Sequence, residues 1–178
     1  ALVNTHVAAA AAMLGWLLVE KLKAGHATTL GAVSGAVAGL VAITPCAGFV
    51  STSSALLIGL AAGAICYLSL ALKNRFGFDD SLDVIAVHLI GGLLGSLLLG
   101  LFSDTTINSL GADGLFNGGG SSLLGKQLLA SGAVFAFSFG VTYIVAMIIN
   151  KTMGLRVTHD EEMVGLDQSQ HAETAYQV

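Results

Sequence analysis

One imidazole, His88, is the only titratable side chain in the apolar run 84–101, and three carboxylates, Asp79, Asp80 and Asp83, stand immediately before it. An ionisable group inside a membrane-length segment is costly to keep, so its default meaning is a transport or proton-handling path. The competing meaning is a ring bonded to a neighbouring helix. On a helix, the imidazole lies about a turn and a half beyond the carboxylates at 1.5 Å rise per residue. Val84 precedes His88 by one turn on the same face, so that face offers an apolar wall broken by one polar group. Low dielectric disfavours imidazolium, and a neutral ring donates from one nitrogen and accepts on the other. Such a site suits a small neutral hydrogen-bonding solute and penalises a bare cation.

The rest of the chain must hold that ring in lipid. Charged residues make up 10% of the 178 residues and the hydrophobic set 54%, against roughly 25% charged in soluble domains. Mean hydropathy is +0.82. A net charge of −4 excludes a nucleic-acid partner, which would need a basic face. Cys46 and Cys66 sit in apolar runs and read as small packing residues, and no His/Cys/Asp/Glu spacing suggests a metal or cofactor site. The spans hold no Asp pair and no serine with a partnered base, so enzymatic chemistry is not expected; Ser34 and Ser96 read as interhelical hydrogen bonders.

Five apolar stretches approach the roughly 20 residues needed to cross a bilayer: 2–19, 28–47, 53–72, 84–102 and 123–150. The fold class expected is an all-α membrane protein with five transmembrane helices. With alternating crossings, Lys21, Lys23, Lys73, Arg75, Lys151 and Arg156 share one side and Lys126 stands on the other. The positive-inside rule then places the C-terminus in the cytoplasm. Ala1 falls outside without an export signal, which points to the C-terminal part of a longer protein.

Gly31, Gly35 and Gly39, Gly59 and Gly63, and Gly91 and Gly95 form four-residue stripes that let helix backbones approach. Gly91, Gly92 and Gly95 are expected to bring a neighbouring helix beside His88. Pro45 reads as a helix terminator whose freed carbonyls need protein or water to satisfy them. The outer connection 103–122, with Gly118, Gly119 and Gly120, is expected to be mobile. His6 reads as a satisfied packing residue and His26 as solvated.

Asp79-Asp80-x-x-Asp83-Val84-x-x-Val87-His88 followed by Gly91-Gly92 resembles the Amt branch of the Amt/Mep/Rh ammonium transporter family. The resemblance covers nearly the whole chain. Val3-Asn4-Thr5 with Gly15-Trp16 looks like that family's seventh span, and 31–41 through Thr44-Pro45 like its eighth. Gly154-Leu155-Arg156-Val157, Gly165-Leu166-Asp167, His171, Glu173 and Ala175-Tyr176 are similar to its cytosolic signature. The resemblance implies an eleven-helix inverted-repeat fold of homotrimers, with a narrow apolar pore in each subunit and two histidines along it. His88 matches the second histidine, and Val84 and Val37 match pore-wall positions. Asp80 and Asp83 then stand at the cytoplasmic pore entrance. Ammonium would lose its proton outside and ammonia would pass. The first histidine, the aromatic gate and the outer cation site have no match in this chain, so the 178 residues alone are expected to conduct nothing.

The expected organisation is a transmembrane part, 1–154, and a cytosolic regulatory tail, 155–178. In the tail, Gly154, Arg156 and Tyr176 are the candidate residues, and 169–176 could form a helical turn or two. Arg156 is a candidate for a salt bridge or a helix C-terminal contact. The resemblance implies docking of the tail on the neighbouring subunit and a PII-type signal protein as cytosolic partner. The location implied is the cell membrane, multi-pass. Two alternatives remain open: a non-conducting membrane interaction module whose tail is the functional element, and an unrelated transporter using His88 as a proton relay.

Overall fold

The computed structural model describes residues 1–174, apart from the side chain of Asn74. Tyr176 lies outside the described residues. Contacts divide the chain into two units, Ala1–Gly132 and Ala133–Val178. Both are helical, and no strand occurs among the described residues.

In the first unit, α1 (Leu2–Ala24), α2 (Thr29–Ile43), α3 (Thr52–Phe76) and α4 (Ile85–Phe102) pack together, and α5 (Ser122–Thr152) begins. Helices α1 and α3 end at Gly25 and Gly77 in left-handed conformation, with φ of 83° and 66°. Their last turns carry Lys21, Lys23, Lys73 and Arg75, cations that complement the negative end of the helix dipole. Four helices, α1, α3, α4 and α5, are long and apolar enough to cross a membrane. Helix α2 has 15 residues, about 22 Å at 1.5 Å per residue, and is shorter than the stretch expected from hydropathy. Pro45 is the reason: the helix stops at Ile43, and 44–50 continue as an irregular turn.

That turn brings buried carbonyls that no helix ladder serves. Asn4, only 7% exposed on α1, serves them. Its Nδ2 donates to Ala47 O at 3.0 Å and Val50 O at 2.8 Å, and its Oδ1 accepts from Thr52 Oγ1 at 3.0 Å. Cys46 Sγ donates to Gly95 O at 3.2 Å. Side chains of the protein itself thus satisfy carbonyls at the broken helix.

Helix α1 is the centre of the packing, flanked by α2 and α3. A Cβ on Gly39 would sit 2.6 Å from both Ala12 Cβ and Ala8 O, one on Gly35 2.6 Å from Trp16 Cβ, and one on Gly15 2.6 Å from Leu60 O. Gly59 and Gly63 likewise face the α1 backbone at Ala8 and Ala12. The stripes thus serve close backbone approach to α1, with Ala8, Ala12, Ala42, Ala55 and Ala62 filling the thin interface and Ile43 and Ile58 the wider part. Glu20, 8% exposed, closes the α1–α2 corner by accepting from Thr28 N (3.1 Å) and Thr28 Oγ1 (2.8 Å), while Thr28 Oγ1 caps α2 through Gly31 N.

The connection 103–122 is a folded loop rather than the loose one expected from its glycines. Asp104 N donates to Phe49 O, Thr105 N to Asp113 Oδ1, Gly114 N to Ser103 O, and Asn117 Nδ2 to Phe102 O and Ser103 O. Gly114 and Gly119 are needed because a Cβ there would strike the backbone at Leu101 and at Asp113.

In the second unit, the remainder of α5 carries a ladder of stacked rings, Phe135–Phe139–Tyr143, with centroids 6.3 and 6.4 Å apart. Beyond it lie α6 (His159–Val164) and α7 (Leu166–Ser169). The helical turns of the tail fall at 159–169, earlier than expected from sequence, because Thr158 and Glu161 form a reciprocal capping box that starts α6. Residues 171–174 are not helical.

Candidate functional site

His88 sits in an unusual piece of backbone. The first turn of α4, Ile85–Ile90, is π-helical, a form that is rare and concentrated at functional sites. Ahead of it Asp83 adopts φ 57°, a left-handed conformation uncommon outside glycine. Lys73, from the end of α3, holds this bend: its Nζ donates to Asp83 Oδ1 at 2.5 Å and to Asp80 O at 3.0 Å. Asp80 faces the other way, along the helix. Its Oδ1 accepts from Val84 N at 2.8 Å and its Oδ2 from Ile85 N at 2.9 Å. The Ile85 amide bond is the main reason the Asp80 carboxyl is held below its ordinary value of 3.8; the Val84 amide and Lys73 add to it and desolvation opposes them. Two orphan donors at the helix start are met by one ionised carboxylate.

The same turn divides its side chains sharply. Ala86 and Val87 are buried, at 3% and 4% exposure, and Val87 joins a cluster with Trp16, Ala38 and Cys66, against which Val37, Val41 and Tyr67 pack. Trp16 stands edge-on to Tyr67, with centroids 5.6 Å apart. Val84 and His88 point away from that cluster: Val84 is 47% exposed and His88 is exposed. Among the described residues the His88 ring has no hydrogen-bond partner, so the reading of a ring tied to a neighbouring helix finds no support among them. Val84 and His88 thus share an open apolar face, while Val37 on α2 is partly buried and packs against the cluster that holds Val87.

Three expectations need correction. The close approach of a neighbouring helix occurs at Gly95, whose Cβ would meet the Ala42 backbone, nearly two turns past His88. Gly91 and Gly92 are only at ordinary contact distance from Val41. His6 is exposed within this chain and bonded only to its own helix, Nδ1 to Leu2 O at 3.0 Å, because its face of α1 turns away from α2 and α3. Neither Ser34 nor Ser96 makes an interhelical hydrogen bond among the described residues. His26 is exposed in the α1–α2 connection, as expected.

Sequence reading passed over three residues. In the sequence Lys73 reads only as topological charge and Asn4 only as part of a motif, and Glu20 belongs to no motif. A lone Asn in an apolar run and a lone Glu at the end of that run were the available signals. Among the described residues no group of three His, Cys, Asp or Glu could hold a metal.

The model of the Ammonium Transporter Family matches residues 1–176. The chain is 49% identical over 178 residues to the ammonium transporter of Bacillus subtilis (strain 168), covering 99% of this chain and 44% of that protein. It is 46% identical to the ammonium transporter Amt1 of Archaeoglobus fulgidus, again covering 99% and 44%. The crystal structure of Candida albicans Mep2 superimposes with a TM-score of 0.82 at 38% identity, covering 94% of this chain and 38% of that one. The chain therefore spans well under half the length of the relatives it matches. Motif order, helix packing and these similarities agree: the chain belongs to the Ammonium Transporter Family.

Proposed function

We propose that this chain forms part of the wall of an ammonium/ammonia pathway across the cell membrane, with His88, Val84 and Val37 as its wall residues. The observation that carries the reading is an exposed imidazole, without a hydrogen-bond partner among the described residues, in an apolar, membrane-length helix of a chain similar to proteins named ammonium transporters. A ring that offers one donor and one acceptor can pass a small neutral solute, whereas an apolar path without a ring of ligands cannot replace the water of K⁺ or Na⁺. Asp80 and Asp83 stand at the cytoplasmic mouth, and the C-terminus is cytoplasmic, on the side of the lysines and arginines. The opposite wall comes from helices outside residues 1–178, so the chain alone conducts nothing. The assembly is a homotrimer without enzymatic activity. Residues 155–178, with Arg156 and Tyr176, form a regulatory tail that begins at Gly154 and has a PII-type protein as partner.

The test is uptake of methylammonium by transporter-deficient cells expressing the transporter that contains this chain. His88→Ala is expected to abolish uptake or its discrimination against K⁺. Unchanged uptake and selectivity would refute a pathway role for His88. Deleting residues after Gly154 separates the competing module reading: a pathway regulated by its tail changes flux, whereas a non-conducting module shows no flux in either form.

A further inference from the structure

We propose that Asp80 is a positioning residue for His88: its carboxylate, backed by the Lys73–Asp83 pair, holds the first turn of α4 in π geometry and thereby aims the imidazole. The inference rests on the reading that His88 borders the pathway, and goes beyond it by giving the acid a role other than marking the cytoplasmic mouth.

The geometry is specific. An i→i+5 turn advances each residue by roughly 80° instead of 100°. Between Val84 and His88 that difference accumulates to roughly 80° of azimuth, enough to move a side chain from an open face to a packed one. In the observed register Val87 fills the Trp16 cluster and His88 stays out of it. An ordinary α turn over the same residues would rotate His88 relative to its anchored start, and the apolar cluster would have to accept a ring or lose Val87. A π turn is normally unstable, so something must hold it. Its N-terminal side is fixed by both oxygens of one carboxylate on consecutive amides, Val84 N and Ile85 N. The preceding residue is fixed at φ 57°, and Lys73 ties that residue and the Asp80 carbonyl to α3. Further along, Gly95 locks α4 against Ala42. The turn carrying His88 is thus held at both ends, and Asp80 is the only side chain bonded to its first amides among the described residues.

The experiment uses the transporter containing this chain in transporter-deficient cells, with membrane abundance measured for every variant. Asp80→Ala is expected to lower methylammonium uptake by about tenfold to a hundredfold, the scale of an ångström-sized misplacement. Asp80→Asn keeps one acceptor and should fall between wild type and Asp80→Ala; it also serves if the alanine variant fails to reach the membrane. The double variant Asp80→Ala/His88→Ala should match His88→Ala alone in uptake and K⁺ discrimination, because Asp80 acts through the ring. Wild-type uptake and selectivity in Asp80→Ala or Asp80→Asn would overturn the proposal, as would an Asp80 effect that persists in full on the His88→Ala background. Unchanged behaviour of His88→Ala itself would instead overturn the pathway reading beneath it.

Discussion

Replacing Asn4 by leucine tests whether one amide holds the broken end of α2. The substitution roughly preserves volume and removes three hydrogen bonds: two to the carbonyls of Ala47 and Val50 and one from the Thr52 hydroxyl. Left unsatisfied in a buried site, such groups cost about 1–3 kcal/mol each. Hydrogen bonds between membrane helices average nearer ~0.6 kcal/mol each. Three bonds give about 2 kcal/mol on the lower figure and about 3–9 kcal/mol on the higher one, and relaxation of the turn places the loss toward the low end, at about 2–4 kcal/mol. Asn4→Asp keeps the shape and the acceptor for Thr52 but turns a carboxylate toward two carbonyl oxygens, and should be at least as damaging. The assay is reversible unfolding of the purified transporter in mixed micelles, with slower SDS-resistant recovery as a second readout. A change within ~0.5 kcal/mol for Asn4→Leu, the ordinary range of a surface substitution, would refute the argument that the Pro45 turn depends on this side chain.

Other outcomes follow from the same structure. Gly63→Ala, whose new Cβ would overlap the α1 backbone at Ala12 and Trp16, should destabilise by about 1–3 kcal/mol in the same unfolding assay. Gly125→Ala, inside α5 where a new Cβ would meet no other element of this chain within 4 Å, should stabilise by about 0.5–1 kcal/mol. In the tail, the Glu161 carboxyl is held below its ordinary 4.5, chiefly by the Thr158 backbone amide and then by the Thr158 hydroxyl. A depressed carboxyl contributes stability that is present above its unfolded value and lost as pH falls through the folded one. NMR titration should therefore show Glu161 protonating below 4.5 together with fraying of α6, and Glu161→Gln should remove that acid transition.

Much of this architecture was legible because hydropathy, glycine spacing and charge asymmetry act over many residues. Pro45 announced the end of α2, and the four-residue glycine stripes announced close packing, though not that α1 receives most of it. Composition misled where individual bonds decide. The glycines of 118–120 suggested a loose loop, yet Asp113, Asn117 and the Ser103 carbonyl fold it. A helical turn was expected at 169–176, of which 175 and 176 lie outside the described residues; the capping box at Thr158 and Glu161 starts helix already at 159. His88 was legible as a lone imidazole among apolar residues. The π turn beneath it was not, because no local propensity encodes i→i+5 bonding; it arises from a carboxylate, a lysine on another helix and a left-handed aspartate acting together.

The most direct test is the position of the His88 imidazole in a lipid-nanodisc structure of the assembled transporter. It is expected to face an apolar lumen enclosed within one subunit, with Val84 beside it and Asp80 still bonded to the amides of Val84 and Ile85. A ring turned toward acyl chains, or bonded to a neighbouring helix away from any lumen, would contradict the account.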